Sequence, residues 1–183
     1  MSTHPDLPPL AAVIFPDDRH DIEAMLESVA RRLQQSGRCV GGLVHRQSRY
    51  ANGNKCMRLV DLRSGQQFEM TEDLGAASRA CSLNPQALAR ASVVLRQALA
   101  DGVELAVVNC FGQLEAAGGG FVQEIAAFVE AGIPVITAVA ARHEAGWREF
   151  TGGAFVGLPV DEQALLHWCR QQLHREDQGD RSC

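Results

Sequence analysis

Residues 104–139 read ELAVVNCFGQLEAAGGGFVQEIAAFVEAGIPVITAV, and this stretch decides the fold. Its two ends, ELAVVN and IPVITAV, are short apolar runs that suit strands buried on both faces. Between them Phe121, Ile125, Phe128 and Val129 recur at helical spacing, and Gly132 stops the helix. Two fully apolar strands joined by a helix need a crossover connection, which is right-handed and makes the strands parallel.

The same grammar runs outward in both directions. Upstream, PLAAVIF (9–15) is an apolar run beside prolines, followed by Ile22, Met25, Leu26, Val29 and Leu33 on one helix face, with Asp18 placed to cap and Gly37 to end it. CVGGLV (39–44) is a strand whose two glycines point to close backbone packing or a bend. Between Cys56 and Met70, two short strands flank the turn Arg63-Ser64-Gly65, giving a β-hairpin insertion. Asn84 and Pro85 then open a helix that Gly102 closes. Downstream come a short helix around Trp147, a brief strand over 154–157, and a helix from Asp161 carrying Leu165, Leu166, Cys169 and Leu173. The expectation is a single α/β domain over 1–175: three layers, a mostly parallel sheet with helices on both faces, and a hairpin insertion near 56–70. The polar residues 176–183 are expected to fray as a disordered tail.

Composition removes several classes. At 183 residues, 46% hydrophobic and 21% charged, the chain has the makeup of a globular domain able to bury roughly 70% of its unfolded surface. No apolar run approaches the ~20 residues needed to span a bilayer, and no basic-then-apolar leader opens the chain, so a cytoplasmic protein without membrane insertion is expected. A net charge of −5 disfavours nucleic acid as a partner. The six cysteines form no Cys-x-x-Cys pair, and the histidines show no ligand spacing, so no metal site is expected.

In an open parallel sheet, ligands bind beyond the carboxyl ends of the strands. The richest such loop is NCFGQLEAAGGG, in which Asn109, Cys110, Gly112, Gln113 and Glu115 precede Gly118, Gly119 and Gly120. Backbone N–H groups there and the positive end of the following helix offer a site for an oxyanion; the alternative is that the glycines simply allow a tight turn. Arg79, Cys81 and Ser82 add a cationic fork, a thiol and a hydroxyl just before another helix start, where plain capping competes with anion binding. Loss of the phosphate-cradling loop is equally informative: the first strand is followed by Phe15-Pro16-Asp17-Asp18-Arg19-His20-Asp21, with neither the glycines nor the lysine that loop requires. His45, Arg46 and Arg49 follow the second strand, where they either add positive charge to the crevice or are solvated loop residues. Cys110 is placed like a displayed nucleophile, but no histidine lies near it in sequence to act as its base.

The segments FEMTEDLGAASRACSLNPQALA (68–89), 109–139 and WREFTGGAFVGLP (147–159) resemble an uncharacterised bacterial family labelled molybdenum-transport ATP-binding-like. The resemblance runs from the first strand to the last helix. It implies a fold like that of P-loop nucleoside triphosphatases without the P-loop, and a link to molybdate or cofactor supply. It also implies that Asn109 and Cys110 stand where a working triphosphatase has acidic magnesium- and water-handling residues. Gln113, Gly119 and Ser82 replace the more basic residues of similar family members.

Together these readings point to a non-hydrolytic binding or regulatory protein that holds a molybdate-like oxyanion or a nucleotide. Two alternatives stand beside it. One is a divergent nucleotide- or thiol-dependent enzyme drawing on Asp17, Cys110 and Glu115. The other is a protein-interaction module, with the 56–70 hairpin offering an edge for a homodimer.

Overall fold

A computed structural model of the chain describes residues 8–17, 21–51, 53, 55–72 and 82–179. Seven strands form one sheet in the order β4-β3-β2-β7-β8-β1-β9. Its parallel body consists of β1 (Leu10–Phe15), β2 (Val40–Arg49), β7 (Leu105–Val108), β8 (Val135–Ala140) and β9 (Val156–Leu158). The antiparallel strands β3 (Lys55–Asp61) and β4 (Gln67–Glu69) extend the sheet beyond β2. They are the expected hairpin, and they continue the main sheet instead of leaving it. A separate two-stranded ribbon pairs β5 (Thr71–Glu72) with β6 (Ser82–Leu83).

Alternation along the apolar strands explains the three layers. In β1, Leu10 and Ala12 point to one face while Ala11, Val13 and Phe15 point to the other; β8 divides the same way, with Val135 and Val139 opposed to Ile136, Ala138 and Ala140. The first face is covered by α2 (Pro85–Ala100), α4 (Val122–Glu130) and α5 (Glu144–Thr151), through residues such as Leu95, Phe128 and Trp147. The second is covered by α1 (Ile22–Gln35) and α6 (Glu162–Gly179), through Leu26, Leu33, Leu165 and Leu173. A one-turn helix, α3 (Gln113–Ala116), interrupts the loop ahead of α4. Among the described residues, no helix is long and apolar enough to cross a membrane.

Local chemistry sets several boundaries. Asn84 caps α2, accepting the Ala87 N–H at 3.0 Å, with Pro85 at the first helical position. β2 is longer than its apolar part, because the hydrogen-bonded pairing with β3 carries the strand through His45, Arg46 and Arg49. Both glycines of β2 are close contacts. An added Cβ at Gly41 would lie 2.9 Å from Val103 Cγ1. Gly42 has φ +126°, and a Cβ there would lie 1.9 Å from the Val107 carbonyl oxygen.

Gly42→Ala therefore combines about 1–3 kcal/mol of backbone strain with a clash in the β2–β7 ladder. At roughly 2–4 °C per kcal/mol for a domain this size, its melting temperature should fall by at least several degrees. Gly157→Ala in β9, whose Cβ meets its nearest neighbour at 4.0 Å, should stay within about 1 kcal/mol of the parent in the same thermal melt.

Candidate functional site

β1 and β8 send their following helices to opposite faces, so the topological switch point lies between their carboxyl ends. There the Asp17 carboxylate accepts from the Arg142 guanidinium at 2.8 Å, in an exposed ion pair. A concavity lies to one side, beyond the end of β7 and alongside β2 and β3. It has a volume of about 240 Å³ and is lined by Asn109, Cys110, Gly112, Gln113, Leu114 and Glu115 from the loop after β7. His45, Met57 and Leu59 from β2 and β3 complete the lining together with Met70, Leu83, Leu88 and Phe121.

The loop after β7 is pinned from both sides. The Asn109 N–H donates to the Leu43 carbonyl at 3.1 Å, and the Phe111 N–H donates to the Ala138 carbonyl at 3.0 Å. Between them the chain passes through a cis peptide joining Asn109 and Cys110. The Phe111 ring sits edge-on to Trp147 at 5.0 Å and stacks with Phe150 at 5.7 Å.

Glu115 organises the rest of the loop. Its buried carboxylate accepts the Gly112 N–H at 3.0 Å and the Phe121 N–H at 3.2 Å, tying the start of α3 to the start of α4. The Gly118 and Gly119 N–H groups are also engaged, by the carbonyls of Glu115 and Leu114 at 2.9 Å each. Several donors that the sequence offers to an incoming oxyanion are thus held by the chain itself. Gly120 is required by the same arrangement, having φ +57° and a position where a Cβ would stand 1.9 Å from Glu115 Oε1.

Asn109 is the exception to this internal satisfaction. It is 2% exposed, and neither its carboxamide nitrogen nor its oxygen has a hydrogen-bond partner. His45 is similar: Nδ1 faces Glu23 Oε1 at 3.4 Å, while Nε2 is buried without a partner. A carboxylate only accepts, so Nδ1 carries the proton that faces Glu23. Cys110 shares the cavity with His45, which sequence proximity could not reveal. Burial pushes its thiol up to about 12, with the Glu115 and Glu23 charges acting in the same direction. At neutral pH it is protonated, the opposite of an activated nucleophile.

The structure thus gathers Asn109, Cys110, Gly112, Gln113 and Glu115 in one cavity, with Gly118, Gly119 and Gly120 in the turn behind Glu115. Ser82 belongs to β6, and Arg79 and Cys81 lie outside the described residues. Sequence reasoning named His45 only as a source of positive charge or a solvated loop residue, and it missed the apolar wall of Met57, Leu59, Met70, Leu83, Leu88 and Phe121. The one signal for His45 was the two-residue period continuing past Val44, which puts it on the face of its cross-strand partner Leu59. No lysine or arginine lines the cavity among the described residues, and no group of three or more His, Cys, Asp or Glu side chains among them is arranged to hold a metal ion.

Glu115→Ala would leave the Gly112 and Phe121 N–H groups without their acceptor, at about 1–3 kcal/mol each. Its melting temperature should fall by roughly 4 °C or more, with Glu115→Gln in between, when the three proteins are compared by calorimetry.

Comparison with known proteins agrees with this architecture. A solution structure of a human cancer-related nucleoside triphosphatase superimposes with a TM-score of 0.54 at 15% identity, covering 90% of this chain and 94% of that one. The likeness establishes an α/β fold of the nucleoside-triphosphatase type. Over 168 residues the chain is 36% identical to "Molybdenum import ATP-binding protein ModC 2" of Bradyrhizobium diazoefficiens. That alignment takes in 91% of this chain but spans only 18% of the relative's length. The family model described as "Protein of unknown function (DUF2478)" matches residues 10–168. The chain belongs to the DUF2478 family.

Proposed function

We propose that the protein is a non-hydrolytic ligand-binding or regulatory domain serving molybdenum handling, and that its ligand enters the cavity beyond β7, alongside β2 and β3. The observation that carries this reading is the Asn109 carboxamide, buried and unpartnered in the wall of a mostly apolar cavity that it shares with His45, Gln113 and Glu115. A buried polar group left unpaired costs about 1–3 kcal/mol, and a ligand that pairs with it recovers that penalty. Converging polar groups in a mostly apolar concavity are the general mark of a small-molecule site.

The link to molybdenum rests on the relative named for molybdenum import, of which this domain matches a small part. A domain of this kind would report or deliver a ligand to such machinery in the cytoplasm, with a molybdate-like oxyanion and a nucleotide as the two candidate ligands. Support for the absence of hydrolysis comes from the loop after β1, which has neither the glycines nor the lysine of a phosphate cradle. The position of β4 at the end of the sheet, with no further strand beyond it among the described residues, favours a second reading, self-association into a homodimer by strand pairing.

Thermal melts with molybdate, tungstate, sulfate and ATP, the last with and without magnesium, test the main reading alongside a phosphate-release assay. At about 100 times its dissociation constant, a true ligand adds roughly 2.7 kcal/mol. The expected outcome is a rise of several degrees with molybdate or with nucleotide and no phosphate release. Absence of any shift, or steady consumption of ATP, would overturn it.

A further inference from the structure

We infer that the cavity recognises the edge of a flat heterocyclic base, with Asn109 reading its hydrogen-bonding pattern; this rests on the ligand-binding function proposed above and names the ligand class. Three observations converge on it. The first is the polar pattern. A carboxamide presents a donor and an acceptor side by side, the arrangement that pairs in bidentate fashion with the amide or amidine edge of a nucleobase. Both Asn109 groups are buried and unpartnered in a residue that lines the cavity, and its backbone N–H is held by the Leu43 carbonyl. His45 lines the same cavity, and its Nε2 is likewise buried without a partner.

The second is the shape and surface. Leu59, Met70, Leu88 and Phe121 give the cavity apolar walls suited to ring faces. Its volume of about 240 Å³ is below the roughly 300–1,000 Å³ usual for drug-sized ligands, so one ring system is enclosed while any sugar or phosphate remains outside.

The third is charge. Glu115 stands in the wall, and no lysine or arginine among the described lining residues opposes it. A bare dianion would lose its water there beside a carboxylate without a compensating cation among the described lining residues, whereas a neutral ring meets no such penalty. The apolar walls and neutral polar groups therefore select the base of a nucleotide over a free oxyanion.

The test is calorimetric titration of the whole protein with adenosine, guanosine, cytidine and uridine, with purine riboside, and with sodium molybdate. At least one of the four nucleosides should bind, and purine riboside, which lacks the exocyclic partner group, should bind at least tenfold more weakly than the better purine nucleoside or not at all. Asn109→Leu replaces the unpaired carboxamide with an apolar group of similar size. The unliganded variant should melt at or above the parent temperature while losing at least tenfold in nucleoside affinity. An Asn109→Leu protein that melts well below the parent would show the carboxamide to be structural and overturn the inference, as would a panel in which no nucleoside binds at millimolar concentration.

Leu88→Trp, which fills the apolar wall, separates this inference from the reading beneath it. Molybdate binding that is lost in Leu88→Trp, with no nucleoside binding, would keep the cavity as the ligand site and reject the base. Nucleoside or molybdate binding unchanged in a folded Leu88→Trp protein would reject the cavity itself, and the inference with it.

Discussion

The carboxylate of Glu115 is the interaction on which the ligand-binding end of this domain depends. By accepting N–H groups from Gly112 and Phe121, it joins the two helix starts after β7 and fixes one wall of the cavity. It also places a negative charge where the glycine run would otherwise present donors to an outside anion. One buried side chain thereby shapes the site and biases it against the ligand class that glycines before a helix bring to mind. Gly120 follows from the same constraint, because no side chain fits between its backbone and that carboxylate.

The parallel crossovers and the helix layers were legible because they rest on short-range patterns, whereas the order of the strands across the sheet was not, because it is set by pairings between residues far apart in the chain. Apolar runs at 9–15, 104–109 and 133–139, with helical periodicity between them, leave little choice but crossovers to a parallel sheet, and Asn84-Pro85 marked a helix start through chemistry local to two residues. The site was half legible. The loop after β7 was found because strand ends in parallel sheets are where ligands go, yet the partners it meets across space were not. His45 was placed in the loop after the strand because the apolar text stops at Val44, while its position is set by pairing with Leu59, fourteen residues of chain away by way of a hairpin. The role of Glu115 was hidden for a related reason. A carboxylate beside a glycine run can face solvent or fold inward, and only the packed loop decides which.

Fold and function part company at the switch point. In a phosphate-binding domain, the loop after β1 is the center of the chemistry; here Asp17 is occupied with Arg142 and the concavity lies beyond β7, alongside β2 and β3. The kinship with a molybdenum importer named for ATP binding and the likeness to a nucleoside triphosphatase describe the scaffold, and neither transfers a catalytic residue. What the scaffold holds is a mostly apolar recess with the buried Asn109 carboxamide in its wall.

The most direct measurement of that account is protein-observed NMR of the Asn109 carboxamide during titration with the tightest-binding nucleotide. The account predicts large shifts in the Asn109 side-chain N–H signals and in the Leu59, Met70 and Leu88 methyls, with the backbone at Ala141 and Arg142 unmoved. Shifts concentrated at Ala141 and Arg142, with Asn109 unchanged, would place the ligand at the switch point instead and contradict it.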